Sequence, residues 1–194
     1  MGAVIRTTTR CPRWLQWLIW LPLLASLSLG AMADGHSDLE RQIKAAMLYK
    51  FLGYVEWPED ALTTPDSPYV IAVAGAADMA AELRHITRDR TINERPILVR
   101  KVTSKSNLSR VHLLFIGDDY SDALHARLIN MAREHSMVTV TEIDRGLSLG
   151  SVINFRLIND RIGFDISLAN AIAHKVKLSA RLLGVASYVE TVGP

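Results

Sequence analysis

Residues 69–74 read YVIAVA. The run is apolar throughout, holds the β-branched Val70, Ile71 and Val73, and is closed by Gly75. A short apolar run of this kind fits a buried strand. The chain beyond it repeats the theme. Ala77–Ile86 has the pattern of a helix, Pro96–Val102 (PILVRKV) of a strand with proline at its first position, and Ser104–Ser109 of an irregular turn. Val111–Ile116 (VHLLFI) is a third strand, Ser121–His135 a helix, and Met137–Ile143 (MVTVTEI) a fourth strand. Strands that alternate with helices predict an α/β fold: a single domain with a central β-sheet flanked by helices on both faces.

The pattern changes on either side of this block. On the C-terminal side, Gly146 and Gly150 bracket a loop read as flexible. Val152–Ile158 and Arg161–Ile166 then flank Asn159-Asp160, two residues that tolerate positive φ, which predicts a β-hairpin. Ser167–His174 and Ser179–Val189 read as helices, the second carrying the ladder Leu178, Leu182, Val185 and Val189 with Gly184 as its weak point. On the N-terminal side, Ser37-Asp38-Leu39-Glu40 has the form of a capping box. Leu39, Ile43, Ala46, Met47 and Phe51 follow at helical spacing. Pro58 ends that element, and residues 59–68 form a loop.

Residues 1–33 have the three parts of a secretory leader. Arg6, Arg10 and Arg13 precede the apolar run WLQWLIWLPLLASLSL (14–29), and Ala31-Met32-Ala33 supplies small residues for cleavage. About 16 apolar residues interrupted by Pro22 fall short of the roughly 20 that a spanning helix needs. The expected mature chain is 34–194, outside the cytoplasm. The full chain has 22 Lys+Arg and 20 Asp+Glu; removing three leader arginines leaves 19 against 20, a net charge of −1. No basic excess then points to nucleic acid. The single cysteine, Cys11, leaves with the leader, which removes disulfide and thiolate chemistry.

No arrangement of side chains matches a catalytic set. The histidines, His36, His85, His112, His125, His135 and His174, form no HExxH or HxH pattern, and no metal or other cofactor is expected. Asp118-Asp119 follows a strand, where open sheets place ligands, but helix capping by Asp119 or Ser121 explains it more simply. No serine sits in a G-x-S-x-G, and Gly146–Gly150 lacks the lysine of a phosphate cradle. Glu56 beside Trp57 is too little for a glycosidase. Tyr49, Phe51, Tyr54 and Trp57 cluster near the end of the first helix, either as core or as an aromatic patch of the kind that anchors interfaces. The chain is expected not to be an enzyme. The alternative to a protein-binding role is a periplasmic small-molecule or nucleotide-binding module, with Arg156, Arg161 and the Gly146–Gly150 loop as pocket residues.

Three stretches, Lys44–Pro58 (KAAMLYKFLGYVEWP), Val111–Ile116 and Gly150–Ala186, together resemble the YfiR-like family of small periplasmic α/β proteins. The most specific parts are Glu56-Trp57-Pro58, the strand Ile153-Asn154-Phe155 with the return strand holding Phe164, and the run from Leu178-Ser179 to Leu182-Leu183. The resemblance implies a non-catalytic repressor that binds the periplasmic domain of a membrane-bound diguanylate cyclase and so lowers cyclic di-GMP, restraining biofilm formation. It implies an outer-membrane lipoprotein that sequesters the repressor, and a homodimer. The founding member's disulfides have no counterpart in this mature chain. The residues expected at the partner interface are Tyr49, Tyr54 and Trp57 at the helix end, with Phe155, Arg156 and Arg161 on the hairpin.

Overall fold

The computed structural model describes residues 30–58, 61–62, 64 and 66–191, with side chains from residue 37 onward. The expected leader therefore lies almost wholly outside the described residues. Residues up to Leu39 form one unit and Glu40–Pro194 another; the second is the α/β domain.

Helix α1 (Gly30–Phe51) runs through a 3-10 turn (Leu52–Tyr54) into the two-residue strand β1 (Val55–Glu56). Strand β2 (Tyr69–Ala74) leads to α2 (Ala77–Thr87). A short strand β3 (Thr91–Ile92) turns into β4 (Arg95–Lys101), and β5 (Leu113–Ile116), α3 (Asp122–Arg133) and β6 (Val138–Thr141) follow. The hairpin strands β7 (Ile153–Ile158) and β8 (Arg161–Ser167) precede α4 (Leu168–Ala173), β9 (Lys177–Leu178), α5 (Ala180–Leu183) and β10 (Tyr188–Glu190).

Eight strands form one mixed sheet in the order β10-β8-β7-β6-β5-β2-β4-β3, and β1 pairs with β9 in a separate antiparallel ribbon. The central strands are parallel, and β2, β5 and β6 are buried along their whole length. Alternate side chains supply two cores. Ile71, Val73, Leu113, Phe115, Val138 and Val140 pack with α1 and α2 on one face. Val70, Ala72, Ala74, Leu114 and Ile116 pack with Leu128, Ile129 and Ala132 of α3 on the other. Helices on both faces explain why the strands read as continuous apolar runs rather than alternating ones.

Two local expectations are corrected and one element is added. Helix α1 begins at Gly30, so Ser37 lies inside it and not at a cap. Ala31, Met32 and Ala33 are strong helix formers and keep the backbone helical ahead of the capping motif. The C-terminal helix α5 ends at Leu183, where Gly184 is the C-cap, and the chain then returns as β10 alongside β8. Of the predicted ladder only Leu182 is fully buried, and Val185 is 70% exposed. The pair β3–β4 went unread because its turn is Asn93-Glu94, both at positive φ. Asparagine followed by glutamate lacks the glycine that usually marks a two-residue turn. The turn read at Asn159-Asp160 is there, both residues again at positive φ.

Candidate functional site

The end of α1 is fixed to the hairpin by three phenylalanines. Phe155 and Phe164 are directly opposite on β7 and β8 and point to the same core. Phe51 stacks on Phe155 (centroids 6.0 Å, 26°) and meets Phe164 edge-on (5.0 Å, 67°). Phe155 also contacts Phe115 at the sheet centre. One turn later Val55 pairs with Leu178 and Glu56 with Lys177, and the Ser179 amide donates to the Tyr54 carbonyl at 2.9 Å. Helix end, hairpin and C-terminal segment are thus a single packed unit.

The candidate interface residues fall in different places within it. Phe155 is only 3% exposed and belongs to the core, so it acts on any surface by holding the hairpin in position. Tyr54 is 37% exposed. Tyr49 is half-buried, with the Arg90 guanidinium 5.6 Å from its ring centroid. Trp57 turns away from the hairpin: its indole N–H donates to the Leu52 carbonyl at 3.1 Å and its ring contacts His112 and Tyr69. Arg156 pairs across the hairpin with Asp165 at 3.4 Å. Arg161 is exposed and forms no ion pair among the described residues. The hairpin tip also exposes Leu157 and Ile158, and the segment after α5 exposes Val185 and Tyr188. Ile158 adjoins the second group, because its side chain and Ser187 both lie against Gly163; Leu157, its neighbour on the strand, is on the opposite face with Phe155 and Ile162. The period-two pattern of residues 153–158 could have revealed Leu157; nothing in the sequence indicated that Tyr188 comes to the face of Ile158, since that requires β10.

The Gly146–Gly150 loop, read as flexible, is tied down. Asn170 Nδ2 donates to the Leu147 and Ser151 carbonyls, each at 2.8 Å, and a ring nitrogen of the buried His174 meets the Gly150 carbonyl at 3.2 Å. At the adjoining carboxyl ends of the strands, Lys44 reaches from α1 to Glu142 at 2.7 Å and also pairs with Glu40. Burial alone would lower the Lys44 pKa, but hydrogen bonds and charge from the two glutamates outweigh it and hold the ammonium above its usual range. Burial raises Glu142, and Lys44 reverses only part of that. Asp118 and Asp119 are exposed, and Ser121 takes the cap position of α3 without a side-chain cap bond. Among the described residues no cluster of three metal-ligating side chains occurs.

A cleft of about 750 Å³ opens at the other end of the sheet, near the amino ends of the parallel strands. Trp57, Leu98, Arg100, Arg110 and His135 are among its lining residues. His112 organises it: the Val70 amide donates to Nδ1 and Nε2–H donates to the Ala61 carbonyl, both at 3.1 Å. Burial pushes this imidazole below its ordinary pKa, so it is neutral and fully used in structure.

Residues 41–187, about three quarters of the chain, match the family model described as YfiR/HmsC-like. The chain belongs to the YfiR/HmsC-like family. YfiR/HmsC-like proteins are periplasmic, non-catalytic regulators of membrane-bound diguanylate cyclases, and belong to the cyclic di-GMP signalling that governs biofilms. Family membership implies interaction with such a cyclase. No individual curated protein matches the chain. The three stretches in which the resemblance was read are the ones that Phe51, Phe115, Phe155, Phe164, Val55 and Leu178 bring together.

Proposed function

We propose that this protein represses its cyclase by binding the enzyme's periplasmic region through the surface built on the helix end and the hairpin. The supporting observation is the exposed apolar side chains around the hairpin tip: Ile158, with Arg161 opposite it, beside the segment that exposes Val185 and Tyr188, and Leu157 on the other face of the same strand. Water-exposed apolar groups next to an unpaired guanidinium suit the centre and rim of a protein interface. The Phe51–Phe155–Phe164 packing holds that surface in a fixed shape, which limits the ordering cost of binding. Tyr54, exposed at the helix end, would extend the surface toward α1, and Tyr49, half-buried against Arg90, would contribute farther along the helix. Repression needs only tighter binding to the inactive sensor conformation; a shift from 1:99 to 99:1 takes about 5.5 kcal/mol.

The chain reaches this partner by export, with residues 1–33 as the cleaved leader. An outer-membrane lipoprotein that covers the same surface would relieve repression by competition, and a homodimer would use part of it. Binding of the exported protein to the purified periplasmic domain of the cyclase tests the reading. Leu157→Asp and Arg161→Glu should each weaken binding tenfold or more while leaving the melting curve unchanged. Unchanged affinity in both variants would move the interface elsewhere.

A further inference from the structure

We propose that the cleft beside Trp57 binds a small anion with a flat apolar body, carrying a carboxylate or a phosphate monoester. The site is distinct from the partner surface and its test does not depend on that reading. Its volume of about 750 Å³ falls within the roughly 300–1,000 Å³ of small-molecule pockets.

The floor is sheet surface at the margin of α3. That helix packs over β2 and β5, and β4 lies beyond them. Leu98 is consequently 49% exposed in mid-strand and lines the cleft with Val70. Trp57 supplies a wall and is already immobilised by its bond to Leu52 and by its contact with the His112 ring. A pre-positioned aromatic wall over an apolar floor suits a flat ligand.

The polar part of the lining is cationic. Arg100 rises from β4 and Arg110 from the turn before β5; Glu134 is the one carboxylate among the described lining residues. Arg100 Nη2 reaches only the Ser109 carbonyl, at 3.3 Å. Its Nε is shut off from solvent and has no acceptor. A guanidinium donor left in this way costs free energy, and a carboxylate or phosphate oxygen is its natural acceptor.

Arg110 provides a separate indication. Among the described residues, seven other than glycine have positive φ. Asn93, Glu94, Asn159 and Asp160 form two hairpin turns, and Ser136 and Lys175 follow the ends of α3 and α4. Arg110, at φ 59, is the third residue of a turn closed by the Val111 amide on the Leu108 carbonyl. Glycine is the usual occupant of such a position. An arginine there carries a backbone cost, which makes sense if its side chain is used.

Protein purified from the periplasm is titrated with benzoate, with phenyl phosphate, and with benzamidine as a cation of similar shape. Heat and Trp57 fluorescence are recorded. Trp14, Trp17 and Trp20 lie in the leader, so Trp57 is the sole tryptophan of the exported form. Saturable one-to-one binding of either anion, with none of benzamidine, is the expected result; which anion binds identifies the acidic group. Arg100→Met should weaken it at least tenfold. Leu98→Glu, at an exposed position, should abolish it with the fold intact. No saturation by either anion up to about 10 mM, equal binding of benzamidine, or binding indifferent to both substitutions would each overturn the proposal.

Discussion

The ring of Phe51 stands edge-on to that of Phe164, with centroids 5.0 Å apart and planes inclined by 67°. One residue ends the first helix and the other lies in the return strand of the hairpin, 113 positions later in the chain. Through this contact the helix end and the hairpin share one core. Phe51→Ala removes a buried ring from among three others and should cost about 3–5 kcal/mol, read by urea denaturation. A loss below about 1 kcal/mol would mean that the hairpin is held by other contacts.

The Lys44–Glu142 pair joins α1 to the end of β6, and both side chains are largely buried. Lys44→Met leaves a buried carboxylate without its cation and should destabilise the protein by about 3 kcal/mol near neutral pH. Glu142, whose proton affinity burial already raises, then binds its proton more tightly in the folded than in the unfolded state. Stability of this variant relative to wild type should therefore recover as pH falls toward 4.5, the unfolded value. The double variant Lys44→Met, Glu142→Leu should recover most of the loss at neutral pH. Denaturant melts at several pH values would show it.

His112 accepts a hydrogen bond from the Val70 amide, so a proton on Nδ1 breaks it. Burial depresses its folded-state pKa below the unfolded 6.5. Below pH 6.5 the unfolded chain binds more protons, and stability falls by up to about 1.4 kcal/mol per pH unit until the folded pKa is passed. His174, lowered chiefly by burial, adds to the same slope. His112→Gln should be less stable at pH 8 but show a shallower decline between pH 6.5 and 5. An unaltered slope would place the titration elsewhere.

A methyl group added at Gly146 would sit 2.2 Å from both Asn154 Oδ1 and Thr141 Oγ1, which are bonded to each other at 2.7 Å. Gly146→Ala must break that buried bond or displace the loop, at about 2–3 kcal/mol. The thermal melt checks it; wild-type stability would show that the loop yields freely.

Much of the sheet was legible because buried parallel strands announce themselves: YVIAVA has no other reasonable place to be. The hairpin was legible from Asn159-Asp160. Strand β10 was not, because Val185–Val189 continues a helical spacing that only Gly184 and the open edge of β8 override. The site was legible in its stretches and not in its surface. Spacing puts Phe155 and Leu157 on one face of β7 and cannot show that the first is covered by Phe51 while the second is exposed at the tip. Nor can it show that Trp57 turns toward His112 and borders a cleft formed from five separate segments.

The central claim is repression of cyclic di-GMP synthesis from the periplasm, and cyclic di-GMP itself is the direct readout. The nucleotide is measured in cells lacking the gene and in cells complemented by wild type or by Arg161→Glu, a surface change expected to alter stability by no more than about 0.5 kcal/mol. The account predicts a rise on deletion, return to the original level with wild type, and incomplete return with Arg161→Glu at equal protein abundance. A cyclic di-GMP level that does not change on deletion, under conditions where the protein is made, would contradict it.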